Sequence, residues 1–213
     1  MGHSFFIQSN DDLYRPMLLR QLSVCLVLLS CISCRCYKPA QAFSPCGKAY
    51  LPVFVLPESD QRNGIEKVYF CEQIRATENV WELSVVYADE DQPFFLFDIA
   101  YDLFRDLRFH RKKDIETIYL HTNTENSALL SVDFGDAYSG SQHFYTGIVR
   151  HFHRVVPQAM IQLDSGRPVL FINTWNHLFS ETDTNPTLAK NRIYNYSCCS
   201  GSRSDAEPQH PSR

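Results

Sequence analysis

The 213 residues carry 24 acidic against 20 basic side chains, a formal charge of −4 at pH 7. That sign excludes a general electrostatic grip on nucleic acid. The length suits one domain with a substantial core.

The first expected element is an export leader. Residues 1–16 place Asp11 and Asp12 where a leader carries basic residues, so the signal is expected to start at Met17, making those sixteen residues an extension. Arg20, the apolar run from Leu22 to Ser33 and the triplet Ala40-Gln41-Ala42 then supply a basic start, a greasy centre and a small-residue cleavage site. The apolar run is shorter than the roughly 20 residues that a membrane-spanning helix needs, so no transmembrane anchor is expected in the mature chain. Cleavage before Phe43 leaves 16 basic and 22 acidic residues, a charge of about −6. The division expected is 1–42 for extension and leader, 43–180 for one α+β domain, and 181–213 for a polar, largely disordered tail.

Pro52 and Pro57 bracket Val53-Phe54-Val55-Leu56, which allows an edge strand but no helix. Lys67–Ala76 and Val80–Ala88 are rich in β-branched and aromatic residues around a short polar break and predict a hairpin. Phe94–Arg111 follows an acidic, proline-containing start. Its polar residues Asp98, Asp102, Arg105 and Asp106 recur at i, i+4, i+7 and i+8, one stripe on an otherwise apolar helix. Ile115–Thr122 and Ala128–Phe134 predict a second hairpin. Residues 141–156 show apolar spacing that predicts a second helix ended by Pro157. Strands at Ala159–Leu163 and Val169–Trp175 flank the turn Asp164-Ser165-Gly166-Arg167-Pro168. The order β-α-β-β-α-β, with extra N- and C-terminal strands, matches a ferredoxin-like antiparallel sheet with both helices on one face.

Removal of the leader leaves Cys46, Cys71, Cys198 and Cys199 as disulfide candidates in an oxidising compartment. Adjacent Cys198 and Cys199 are each expected to reach back toward Cys46 and Cys71. Asn195-Tyr196-Ser197 is a glycosylation acceptor triplet in a eukaryotic host. His151-Phe152-His153 could share a metal on a strand, whereas helical geometry turns the two imidazoles about 200° apart. Asp98, Asp102 and Asp106 form a carboxylate ladder that reads as a solvated face.

Two functions follow. The aromatic helix is apolar on more than its core side, which points to a partner protein, a second copy or an apolar ligand meeting it through Phe94, Phe97, Tyr101 and Phe104. The alternative is a metal-assisted hydrolase. In it Asp133, Asp136 and His143 supply general acid–base groups, and His121 with His143 holds the ion. No phosphate-loop, dinucleotide or nucleophile-elbow pattern occurs in the chain. The expected molecule is therefore an exported, non-catalytic binding domain with no cofactor and no nucleic-acid partner.

Overall fold

The computed structural model describes residues 51–109 and 113–207. Their framework is eleven strands in two mixed sheets, which overturns the ferredoxin-like arrangement. Both expected hairpins form. Strands β2 (Ile65–Ile74) and β3 (Glu78–Tyr87) pair antiparallel from Ile65↔Tyr87 to Ile74↔Asn79. β4 (Ile115–Asn123) and β5 (Leu129–Asp133) extend the same sheet. β6 (Val155–Pro157) closes one edge, and β11 (Cys198–Ser200) runs parallel to β2 at the other.

The second sheet is centred on β1 (Val53–Pro57). It lies between β8 (Arg167–Ile172), parallel, and β10 (Lys190–Ile193), antiparallel. The short β7 (Leu163–Asp164) and β9 (Phe179–Ser180) both pair with β8. The prolines around β1 do not make it an edge strand. Pro52 precedes the strand and Pro57 is its last residue, so neither removes a donor from mid-ladder.

Period-two patterning explains the layering. Val68, Leu83, Val85, Ile118, Leu120 and Val132 of the larger sheet share one buried cluster with Phe54, Leu56, Leu170 and Ile172 of the smaller. The alternate residues of the smaller sheet, Val53, Val55 and Val169, are buried in a second, minor cluster.

Two expected elements fail for identifiable reasons. Residues 141–156 are not a helix. Gly140 takes a left-handed φ of +59°, and Gln142 bridges the loop by donating to the Arg150 carbonyl and accepting from its N–H, both at 2.6 Å. The apolar spacing that suggested a helix instead buries Val156 in β6 and leaves Ile148 in water. Ala159–Leu163 is no strand: Ala159 and Met160 belong to a 3-10 turn, Gln158–Met160, and only Leu163 enters β7. The polar stretch from residue 181, expected as a tail, supplies β10 and β11 and the four-residue helix α2 (Arg203–Ala206). Edge strands held by backbone pairing need little apolar patterning, so nothing marked them in advance. Among the described residues no helix is long and apolar enough to cross a membrane.

The remaining helix, α1 (Phe95–Phe109), forms as expected, but none of its described side chains joins either buried cluster. Leu83→Ala, in the core, should therefore cost about 2–5 kcal/mol, and Leu103→Ala on α1 less than about 1 kcal/mol. Urea unfolding of the two variants checks this contrast. Equal losses would place α1 on the core.

Candidate functional site

The amphipathic pattern of α1 was legible, but its direction is reversed. At 100° per residue, Asp98, Tyr101, Asp102 and Arg105 fall on one side, and this polar side faces the protein. Arg105 is 4% exposed, whereas Phe95, Leu96, Phe97 and Leu107 are 73%, 79%, 68% and 69% exposed. Phe94, Ile99, Leu103 and Phe104 are also largely in water. Of the four residues expected to meet a partner, Phe94, Phe97 and Phe104 are exposed and Tyr101 turns inward.

What holds the polar side down is a run of buried charge. The Tyr101 hydroxyl donates to Glu90 Oε1 at 3.0 Å, and its ring meets Trp175 edge-on at 5.6 Å. The Arg105 guanidinium lies 3.4 Å from Glu90 and 3.6 Å from Asp89, and 5.7 Å from the Tyr101 ring. Asp98 accepts from the Gln92 N–H at 2.7 Å, fastening the helix start. Burial, then the nearby Asp114 charge, raise Glu90 to about 7 against the opposing pull of Arg105, His177 and the Tyr101 hydrogen bond.

This run adjoins a fully buried imidazole that sequence reasoning missed. His177 Nδ1 sits 3.0 Å from Asp114 and Nε2 3.1 Å from Asp60, with its ring stacked on Tyr87 at 3.8 Å. Burial pulls its proton affinity down, but hydrogen bonds to Asp114 and Asp60, and both their charges, carry it up to about 10. Both ring nitrogens therefore donate. His177 adopts a left-handed φ of 58°, a conformation uncommon outside glycine, asparagine, aspartate and histidine. Asp60 and His177 are 117 residues apart, and no local motif links them.

The residues proposed for hydrolysis have separate partners. His121 contacts Glu78 at 3.0 Å. Asp133 accepts from the Gly135 N–H at 2.8 Å and lies 3.6 Å from His153. Asp136 is exposed, its carbonyl 3.0 Å from His151 Nδ1. His143 contacts the Thr184 carbonyl and borders an open groove of about 530 Å³. His151 also touches Asn176, so it and His153 serve different neighbours. Among the described residues no group of three or more His, Cys, Asp or Glu side chains is disposed to hold a metal ion.

Cys46 lies outside the described residues. Cys71 and Cys198 are buried, and Cys199 is half-buried and free. Cys198 pairs in register with Val68, so Cys71, three residues along, projects from the opposite face of the sheet. The two cannot bond to one another, and the expected disulfide through Cys199 is not formed. Asn195 is exposed between β10 and β11.

Comparison with protein-family models, with curated proteins and with solved structures finds no match in any of the three.

The buried charges set a pH dependence. His177 is raised above its unfolded value, so its contribution is complete below about pH 6.5 and lost as pH climbs through about 10. Glu90 is also raised, so its ionisation costs stability as pH rises from about 4.5 through 7. Thermal melts should show these two groups favouring mildly acidic over alkaline conditions. His177→Phe should flatten the alkaline limb and, by leaving Asp60 and Asp114 buried without their partner, cost about 3–5 kcal/mol. An unchanged alkaline slope in the variant would refute the assignment.

Proposed function

We propose that this chain is an exported, non-catalytic interaction domain that engages a protein surface through the outward side of α1. The observation that carries the reading is the apolar surface of Phe94, Phe95, Leu96, Phe97, Ile99, Leu103, Phe104 and Leu107. From those exposures, and about 150–250 Å² for a Phe side chain with somewhat less for Leu or Ile, it amounts to roughly 900 Å². The largest apolar patch on a typical monomer is about 300–600 Å² and is itself often functional. At the helix start Phe95 also borders a mostly polar cavity of about 230 Å³ that Tyr145 lines from the facing loop.

Export is supported by the leader pattern of residues 17–42 and by an exposed acceptor at Asn195. Protein collected from the medium of a secreting host should begin at Phe43 and show protected cysteines by intact mass and thiol labelling. An uncleaved chain with every thiol reactive would remove export from the reading.

The binding claim has its own test. Phe97→Asp with Phe104→Asp should abolish binding of an apolar fluorescent dye to the native protein at high dilution, where single chains prevail, while leaving its melting temperature within a few degrees. A destabilisation comparable to a core deletion, about 2–5 kcal/mol, would show that the helix face is internal.

A further inference from the structure

We infer that the surface meeting α1 is the α1 of a second copy, the two helices packing antiparallel about a two-fold axis. The inference rests on the reading of α1 as an interaction surface and names its partner.

Leu96, Ala100, Leu103 and Leu107 lie within about 60° of one another around the helix axis, and all four are exposed. Their separations of four, three and four residues read the same in either direction. An antiparallel copy therefore sets Leu96 against Leu107 and Ala100 against Leu103, large opposite small at the centre and leucine on leucine at both ends. Such a row is complementary to its own reversal, which is the requirement for an isologous two-fold contact. Spacings of three and four are also the seam of helices packed side by side at a shallow angle.

Area gives the second argument. Roughly 900 Å² of apolar surface on one chain compares with about 800 Å² per partner in a stable interface. Phe97 and Phe104, seven residues apart, lie along one flank of the row, and Phe95 and Ile99 along the other. Rows of this width are found on core-facing helices of bundles. The third argument is electrostatic. The charged side chains on the inward face of α1 already have partners in their own chain, Arg105 with Glu90 and Asp89, and Asp98 with the Gln92 N–H. On the outward side exposed Asp106 falls at the rim beside Phe95 and Ile99, where pairing leaves it in reach of water, and antiparallel helix dipoles oppose one another favourably.

The test is sedimentation velocity of the full chain over a dilution series, with wild type, Leu103→Glu, Ala100→Leu, Leu103→Ala and the double exchange Ala100→Leu with Leu103→Ala. Wild type should be a dimer that dissociates on dilution. Leu103→Glu should weaken it by at least about thirtyfold, while circular dichroism melts show the fold retained. Each single packing variant should weaken it, and the double exchange, which restores leucine opposite alanine, should recover most of the loss. If the single effects simply add in the double exchange, the antiparallel register is wrong. A wild type that stays monomeric while its helix still binds an apolar dye would overturn the second-copy inference and leave the interaction surface standing. A monomer that binds no dye would overturn both.

Discussion

Ionised groups placed deep in an apolar interior must meet their partners, and this constraint organises the described residues. His177 is held between Asp60 and Asp114, and Glu90, Tyr101 and Arg105 continue the charge to α1. An unpaired buried charge costs several kcal/mol, so the elements carrying these groups are fixed relative to one another. Asp60 follows β1, Asp114 precedes β4, His177 lies between β8 and β9, and Glu90 precedes α1. The cluster thus ties both sheets and the helix to one point. Tyr87, stacked on His177 at the end of β3, joins the apolar core to it.

The inverted helix follows from the same constraint. Arg105 can reach Glu90 only if the polar stripe of α1 turns inward, and that turn sends the aromatic and aliphatic residues outward. At about 25 cal/mol per Å², roughly 900 Å² of exposed apolar surface corresponds to on the order of 20 kcal/mol. That exceeds the few kcal/mol of the ion pair that orients the helix. Orientation and cover are therefore separate matters. The buried charges decide which way α1 faces, and the face it presents is the one for which we propose a second apolar surface.

Local regularities made much of this legible, and long-range ones did not. Both hairpins and α1 were readable because alternation and 3.6-residue periodicity are properties of a dozen neighbouring residues. The polar stripe of Asp98, Asp102, Arg105 and Asp106 was readable too, but not that its first three members would face protein and Asp106 water. That depends on Glu90, whose burial is set by strands elsewhere in the chain. Residues 141–156 had helical spacing without helical structure, because the bridge from Gln142 to Arg150 and the left-handed Gly140 outweigh a repeat of apolar residues. Neither β10 nor β11 had a pattern to read. The His177 cluster joins residues more than 60 and 110 positions apart, and nothing in either neighbourhood marks the contact.

The central claim is that the aromatic side of α1 is an outer surface and its polar side a buried one. Carbene footprinting of the intact, dilute protein, read residue by residue by mass spectrometry, measures this directly. The account predicts heavy labelling of Phe95, Phe97 and Phe104, with Phe54, Phe134 and Phe179 silent. Labelling of all six to the same low extent would contradict it, because α1 would then be packed as an ordinary core helix.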